Sequence, residues 1–341
     1  MPEVPTDEVG LIAALARLFG PSPPEVLLGI GDDCAALDLG GDRLLLWTVD
    51  TLVEGVHFDL SYTSLRQLGR KALAVNVSDI AAMGGEPAYA LLSLGWPPGR
   101  ELAAALAVGQ GLAEAAREYH VAVVGGDTVA SPPGITVTVA VLGRVPRAEL
   151  LTRAGAKVGD HIYVTGNLGE AAAGLEILRR GWQAPADLAG PLVRAHLEPV
   201  PRVAAGRLLA QNRLATSAID LSDGVATDLL HICRTSGVGA RLEAEAIPWS
   251  SGVEWVAREL GRSPLDLALK GGEDYHLLFT TPPEMEELLA EAFIRAHLPE
   301  PKKIGVVVSG REVILSSLGG EEVISGSGFD HFRLDLTPGK D

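Results

Sequence analysis

The sequence has little of what marks secreted or membrane proteins. It contains two cysteines in 341 residues, Cys34 and Cys233, which are far apart and form no CxxC pair. A disulfide framework or a zinc site is therefore not expected, and we interpret Cys34 as a small buried residue rather than a nucleophile. No segment approaches the roughly 18 uninterrupted apolar residues of a membrane span. The start MPEVPTDEVG has acids and prolines where a secretory signal has a basic start and an apolar stretch. We expect a cytoplasmic protein with no membrane segment.

Basic residues are also scarce. The 28 Lys and Arg face 44 Asp and Glu, which gives a formal net charge of -16. This balance argues against a nucleic-acid partner, which needs a basic stripe. The P-loop pattern GxxxxGK[ST], the protein-kinase signature and HExxH are all missing, so a nucleotide enzyme would belong to another class. Any phosphorylated ligand must then arrive with metal.

The acidic residues recur in short clusters, most of them marked by glycine. Several lie in or beside apolar runs such as LLLWTVD and TSAIDLSDG, where an unpaired charge costs several kcal/mol. Because few basic residues are near, bound divalent cations are the simplest source of compensating charge. The clusters are Gly31-Asp32-Asp33, Val49-Asp50-Thr51, Asn76-Val77-Ser78-Asp79, Gly126-Asp127-Thr128, Asp220-Leu221-Ser222-Asp223-Gly224 and Gly272-Glu273-Asp274.

The hydrophobic patterns predict an α+β protein with two αβ domains, 1–145 and 146–341, divided near Pro146. Helices are expected at 8–19, 66–83, 101–119, 169–181, 199–210, 225–233 and 284–296. Gly237 is well placed as the C-terminal stop of the helix that begins at residue 225. Strands are expected within 27–39, where a Gly-Asp turn breaks the run, and at 43–53, 88–96, 121–127, 135–145, 161–166, 217–220 and 275–281. A turn is expected directly after the strand that ends at residue 220. The segment 304–315 resembles a hairpin.

Four motifs have alternative readings. Ser222 and Asp223 are either site residues or merely caps of the next helix. Gly166 to Gly169 is either a phosphate loop or, by preference, a plain turn from strand to helix. Arg153 is one of few cations near the motifs, or else a surface arginine. Among the histidines, which we otherwise expect to be structural, His57 stands beside the first acidic clusters.

Eight motifs in order resemble the thiamine-monophosphate kinase family over nearly the whole chain. They are GIGDDCA, WTVDTLVEGVHF, KALAVNVSDIAAMGGEP, VVGGDT, LTRAGAKVGDHIYVTG, SAIDLSDG, ALKGGEDY and GFDHF. That family is grouped with aminoimidazole ribonucleotide synthetase and selenophosphate synthetase. The resemblance implies two αβ domains of the synthetase-like type, homodimerisation through the N-terminal domain and ATP binding without a P-loop.

The resemblance also implies an activity, in which ATP phosphorylates thiamine monophosphate to thiamine diphosphate by direct transfer assisted by several magnesium ions. It makes Asp50, Asp127, Arg153 and Asp223 the catalytic residues. The implied metal ligands or their close neighbours are Asp33, Thr48, Val49, Asp50, Asp79, Asp127, Asp220 and Asp223. The implied ATP contacts are Gly126, Asp127, Arg153 and Ser222, and the implied thiamine monophosphate contacts are His57, Glu273 and Phe329.

The sequence departs from that family at two positions. The family commonly has threonine at Val49, which can still offer its carbonyl, and tyrosine at Phe329, which keeps the aromatic ring. Two other functions remain open: another ATP-dependent synthetase of the same superfamily, and a non-catalytic divalent-ion binding protein. Selenophosphate synthetase is disfavoured because the reactive residue expected near the N-terminus is missing.

Overall fold

The computed structural model describes residues 7–324, which form two mixed sheets with helices packed against them. The first sheet has the strand order β1-β2-β3-β6-β4-β5. Its elements are α1 (Glu8–Phe19), β1 (Val26–Leu28), β2 (Ala35–Leu37), β3 (Arg43–Val53), α2 (Leu65–Ala82), β4 (Glu86–Trp96), α3 (Leu102–Glu118), β5 (Ala122–Ala130) and β6 (Thr136–Pro146).

The second sheet has the strand order β13-β12-β9-β11-β7-β10-β8. Short 3-10 helices occur at Arg147–Glu149, Ala244–Ala246 and Pro283–Met285. The other elements are β7 (His161–Val164), α4 (Glu170–Arg180), α5 (Ala186–Leu197), α6 (Val203–Gln211), β8 (Ser217–Asp220), α7 (Val225–Ser236), β9 (Gly239–Glu243), α8 (Ser251–Leu260), α9 (Pro264–Lys270), β10 (Leu277–Thr281), α10 (Glu286–Arg295), β11 (Lys302–Val308), β12 (Val313–Ser317) and β13 (Gly320–Val323).

One face of the first sheet is covered by α2 and α3. Alternate residues of β6, among them Val137, Val139 and Val141, are fully buried beneath these helices, as the period of two in a strand requires. Helix α2 begins with a capping box formed by Ser64 and Gln67. The helical face of this sheet therefore forms the core of the first half of the chain.

The opposite face of the same sheet, which we term the open face, carries exposed apolar side chains. Trp47 and Val49 of β3 are 51% and 59% exposed, and Leu91 of β4 is 46% exposed. The edge strand β5 is exposed along its whole length. Such a concentration of exposed apolar strand residues is typical of a surface that binds another protein.

Helix α2 also joins the two halves, because it packs against α6 and β8. The contact with α6 is close: a Cβ atom at Gly206 would lie 2.0 Å from the carbonyl oxygen of Ala81, so only glycine fits. This packing brings the acidic end of α2 next to the last residue of β8. Acidic side chains from the two halves of the chain can therefore lie close together.

The predicted α+β class is confirmed, and the helix predicted at 8–19 is observed with those bounds. Gly237 ends α7 in a left-handed conformation, as expected. Within residues 7–324, no helix is long and apolar enough to cross a membrane. The division of the chain near Pro146 stays a prediction, with β6 ending at that residue.

Two predicted elements need correction. The hairpin predicted at 304–315 is wrong, because β9 lies between β11 and β12 and pairs with both. The hairpin in this region is instead β12 with β13. The strand expected to stop at residue 127 continues as β5 to Ala130, since Gly125 and Gly126 stay in the sheet.

Candidate active site

Three carboxylates from distant parts of the chain converge where α2 meets β8. Asp33 precedes β2, Asp79 lies on α2 and Asp220 ends β8, and one oxygen of each lies within 4.8 Å of the others. We term these three residues the acidic cluster. The spacing of the oxygens fits a shared divalent cation, which prefers carboxylate ligands.

Asp50 and Thr48 extend the acidic cluster along β3. Both lie on the helical face of the sheet, because Asp50 is paired with the buried Val139. The Thr48 hydroxyl donates a hydrogen bond to Asp79 at 2.5 Å. On the other side, the Ser78 hydroxyl donates to Asp220 at 2.6 Å, a contact that the sequence analysis did not predict. These hydroxyls orient two of the cluster carboxylates.

Burial raises the pKa of the carboxyl groups at this site. The pKa of Asp220 rises to about 8 and that of Asp50 to about 6, first through burial and then through the charge of Asp33. The pKa of Asp79 is also raised, by burial and then by Asp50 and Asp220. Buried like charges at such distances cannot all ionise without compensation. A bound cation would provide that compensation.

Arg153 is the cation nearest the acidic cluster. Its Nη2 donates to Asp33 at 2.5 Å, and its backbone N–H donates to Asp32 at 3.1 Å. The alternative of a surface arginine is therefore wrong. Asp33 Oδ2 is nevertheless buried without a hydrogen-bond partner in the described part of the chain. One arginine thus leaves a ligand atom available, which supports the fit of this site to a metal ion.

The turn after β8 carries Ser222 and Asp223. Helix α7 has Gly224 at its N-cap, without a side-chain cap. The carboxylate of Asp228 instead accepts hydrogen bonds from the backbone at the start of the helix. Its Oδ2 lies 3.2 Å from the backbone nitrogen of Asp223 and 3.1 Å from that of Gly224. The interpretation of Ser222 or Asp223 as a mere helix cap is wrong. Asp228 was missed, although its place in the first turn of the helix is a usual one for an acid.

Glu273 lies beside the same turn, since its backbone N–H donates to the carbonyl of Ser222 at 2.8 Å. Its carboxylate is 2.7 Å from the Lys71 Nζ and 3.0 Å from the His196 Nδ1. The sequence analysis missed Lys71 and His196, which lie more than 70 residues away from Glu273 along the chain. The next residue, Asp274, accepts the backbone N–H groups of Gly169 and Ala171 at the start of α4.

The hydrogen bonds that Asp274 accepts bear on whether the segment from Gly166 to Gly169 binds phosphate. A carboxylate of the protein already occupies the N–H groups that a phosphate would need. The preferred interpretation of this segment as a plain turn from strand to helix is confirmed.

Cys34, likewise, is a buried free thiol as expected.

His57 lies in the tight loop that follows β3. Its Nδ1 accepts the backbone N–H of Val53 at 3.0 Å, which orients the ring. Phe329, the third residue expected to contact thiamine monophosphate, lies outside the described residues.

Gly126 and Asp127 lie on β5, away from the acidic cluster. Asp127 is paired with Ser93, and Ser93 with Thr138, which places all three on the open face. Thr138 in turn contacts Thr51 across the sheet at 2.9 Å. Asp50 points to the opposite face, so the structure does not bring Asp127 and Asp50 together within one chain. Val49 also has its side chain on the open face.

A separate cavity of about 350 Å³ lies between α2, α3 and the helices of the second half. Arg202, Tyr119 and His276 are among its lining residues, and none of the acidic cluster lines it.

The chain is similar over most of its length to known proteins. The family model described as AIR synthase related protein, N-terminal domain, matches residues 31–145, and the corresponding C-terminal domain matches residues 157–316. Thiamine-monophosphate kinase of Escherichia coli (strain K12) is 41% identical over 328 residues, covering 95% of this chain and 98% of that protein. That of Bacillus subtilis (strain 168) is 36% identical over 332 residues, covering 96% and 100%.

A solved structure of AaThiL complexed with AMPPCP and TMP has a TM-score of 0.83 and 33% identity, covering 95% of this chain and 97% of that one. The two matched domains place the chain in the class of AIR synthase related proteins. Within that class, its similarity to the curated relatives shows that it belongs to the thiamine-monophosphate kinase family.

Proposed function

We propose that this protein transfers the γ-phosphoryl group of ATP to thiamine monophosphate and so forms thiamine diphosphate and ADP. The observation that carries the proposal is the acidic cluster, in which carboxylates from both halves of the chain converge. Membership of the thiamine-monophosphate kinase family supports the choice of reaction. The similar structure with AMPPCP and TMP bound supports the choice of the two ligands.

The charges at the site suit this reaction. The acceptor is a phosphate that is already ionised at neutral pH, so no general base is needed to make it nucleophilic. The barrier lies in bringing two anionic ligands together, and catalysis must consist of positioning and charge neutralisation. An acidic protein of net charge -16 can do this only with added cations.

Magnesium is the cation that we propose, in several ions. When bound, it supplies positive charge that neutralises the phosphate oxygens of both ligands. Hard oxygen donors dominate the site. Burial and then the charge of Asp33 raise the pKa of Asp220 and of Asp50, which supports a need for added positive charge. The residues that would hold the metal are Asp33, Thr48, Val49 through its carbonyl, Asp50, Asp79, Asp127, Asp220 and Asp223.

The remaining site residues divide between the two substrates. Arg153, buried against Asp33, would contact the ATP phosphates together with Ser222, and Gly126 and Asp127 would contact ATP from β5. His57, Glu273 and Phe329 would contact thiamine monophosphate. Because both substrates are intracellular metabolites, we also propose a cytoplasmic location.

We further propose that the protein is a homodimer formed through the open face. The exposed apolar residues Trp47, Val49 and Leu91 support this, because a second copy would remove them from water. Asp127 and Leu91 line the same shallow depression on that face. A dimer would thus cover Gly126 and Asp127, and the nucleotide site would be completed where the two copies meet.

The activity is tested by incubating the purified protein with ATP, magnesium and thiamine monophosphate and following thiamine diphosphate by chromatography. Metal-dependent formation of thiamine diphosphate with an equal amount of ADP is expected. A reaction without magnesium serves as the control. If ATP binds with magnesium but no thiamine diphosphate forms, another synthetase of the superfamily becomes the better assignment. If magnesium binds but the protein neither binds ATP nor turns it over, the protein is an ion-binding protein.

A further inference from the structure

The segment that carries Glu273 has an unusual backbone. Glu273 and Tyr275 have φ values of 68° and 50°, in the left-handed region that residues with a side chain rarely adopt. Their backbone N–H groups donate to the carbonyls of Ser222 and Leu221, both at 2.8 Å. A Cβ atom at Gly272 would lie 2.4 Å from the Ser222 carbonyl oxygen. The segment is therefore held in a strained conformation directly beside the turn after β8, and such strain is concentrated at functional sites.

The carboxylate of Glu273 is held by two side chains from different helices. Lys71 Nζ of α2 lies 2.7 Å from Oε1, and His196 Nδ1 of α5 lies 3.0 Å from Oε2. Lys71 is 2% exposed and is among the largest fully buried side chains in the described residues. A buried lysine is costly unless an anion lies beside it. Glu273 is that anion.

The charges of the three groups are complementary. Burial alone would raise the pKa of Glu273, but Lys71 and His196 outweigh it and bring the pKa to about 2. Burial, followed by the charge of Lys71, lowers the pKa of His196. The imidazole is then mostly uncharged at neutral pH, and its Nδ1 lies 3.0 Å from the carboxylate. Each carboxylate oxygen keeps a further lone pair for a ligand donor.

We propose that Lys71 and His196 are positioning residues, which hold the Glu273 carboxylate in the orientation that binds the acceptor substrate. The inference rests on the proposed function only in naming thiamine monophosphate as the acceptor. Lys71 belongs to the first half of the chain, whereas Glu273 and His196 belong to the second. The acceptor contact therefore forms only when α2 is packed against the second half.

The first test replaces Lys71 with methionine, which keeps the length of the side chain and removes its charge. We expect the KM for thiamine monophosphate to rise by about tenfold or more, while the KM for ATP stays within about twofold. Lys71→Arg should restore part of the loss, because it keeps the positive charge. Lys303→Met is the matched control, since Lys303 is an exposed lysine whose Nζ lies 3.4 Å from Glu286.

A second pair of variants keeps the test valid if Lys71→Met does not fold, which thermal unfolding would show. His196→Gln retains a hydrogen-bond donor and should bind the acceptor better than His196→Phe, which has none. Equal KM values for thiamine monophosphate in these two variants would overturn the role of His196. A Lys71→Met enzyme with both KM values unchanged, or with both raised equally, would overturn the role of Lys71.

A measurement without turnover separates this inference from the proposed function. The pKa of Glu273 can be followed by carbon-13 NMR of protein labelled at glutamate carboxyl groups, with Glu273→Gln to assign the signal. We expect the pKa to rise clearly above about 2 in Lys71→Met. An unchanged pKa would overturn the inference. If the wild-type protein forms no thiamine diphosphate, only the proposed function fails, and the NMR result still decides whether Lys71 holds Glu273.

Discussion

Replacing Asp220 with asparagine should stabilise the metal-free protein while it destroys the metal site. The pKa of Asp220 is raised from 3.8 to about 8, chiefly by burial and then by Asp33. The folded state therefore binds this proton more tightly than the unfolded state does. The stability that this group contributes is full below pH 3.8 and falls as the pH rises towards about 8.

The size of this effect follows from the pKa difference. One pKa unit corresponds to about 1.4 kcal/mol. At pH 7 folding must therefore take up a proton on Asp220, which lowers the free energy of unfolding by at most roughly 4 kcal/mol. Because Asp33, Asp50 and Asp79 titrate together with Asp220, one substitution removes only part of this penalty. We expect Asp220→Asn to recover about 1–2 kcal/mol, which for a chain of 341 residues is a rise in Tm of roughly 1–3 °C.

The assay is thermal unfolding of both proteins at pH 5.5 and pH 8, with EDTA or with magnesium. In EDTA, the Tm of Asp220→Asn should exceed that of the wild type, and more so at pH 8. Magnesium should raise the Tm of the wild type more than that of the variant, since ligand binding stabilises only a protein that has the site. Asp266→Asn is the control, because Asp266 is an exposed acid paired with Lys270.

One result would refute this reasoning. If Asp220→Asn in EDTA at pH 8 unfolds at the same temperature as the wild type or below it, the buried carboxylate does not reduce stability. The acidic cluster would then have enough counter-charge without metal, and the electrostatic argument for a metal site would be lost.

Three further predictions concern the same chain. Asp50→Asn should lower kcat by roughly 10²–10³-fold with an unchanged circular dichroism spectrum, and a near wild-type rate at saturating magnesium would contradict it. Thr48→Val should weaken magnesium binding several-fold, as measured by calorimetry, because Asp79 loses the hydrogen bond that orients it; unchanged affinity would show that the hydroxyl is dispensable. Leu91→Asp should convert the proposed dimer into a monomer in sedimentation experiments, and a persistent dimer would place the interface elsewhere than on the open face.

The sequence predicts the acids of this site better than their arrangement. Asp33, Asp79 and Asp220 are recognisable because each stands in or beside an apolar stretch, which is an unfavourable place for a charge without a partner. The face on which Asp127 lies could not be predicted. The run Val123-Val124-Gly125-Gly126 has no alternation, and the register of β5 shifts relative to β4 between Ala90 and Leu91.

Contacts between residues that are far apart in the sequence could not be predicted either. Nothing in the sequence near Lys71 indicates that its partner is Glu273, because the contact depends on the packing of α2 against the second half. The hairpin prediction failed for a similar reason. The two strands β11 and β12 are joined by a short turn, but β9 supplies β12 with a parallel neighbour, and tertiary pairing overrides the local pattern.

Helix α2 has a further consequence, because it carries both Lys71 and Asp79. The eight steps from Lys71 to Asp79 span about 12 Å along the helix axis at 1.5 Å per residue. On the proposed assignment, one end of this stretch fixes the phosphate of the acceptor and the other end fixes Glu273. The helix then sets the distance between the two places at which the acceptor molecule binds. A phosphorylated compound too short to reach from one end to the other would bind at only one of them, so on this assignment we expect small phosphates to be poor acceptors.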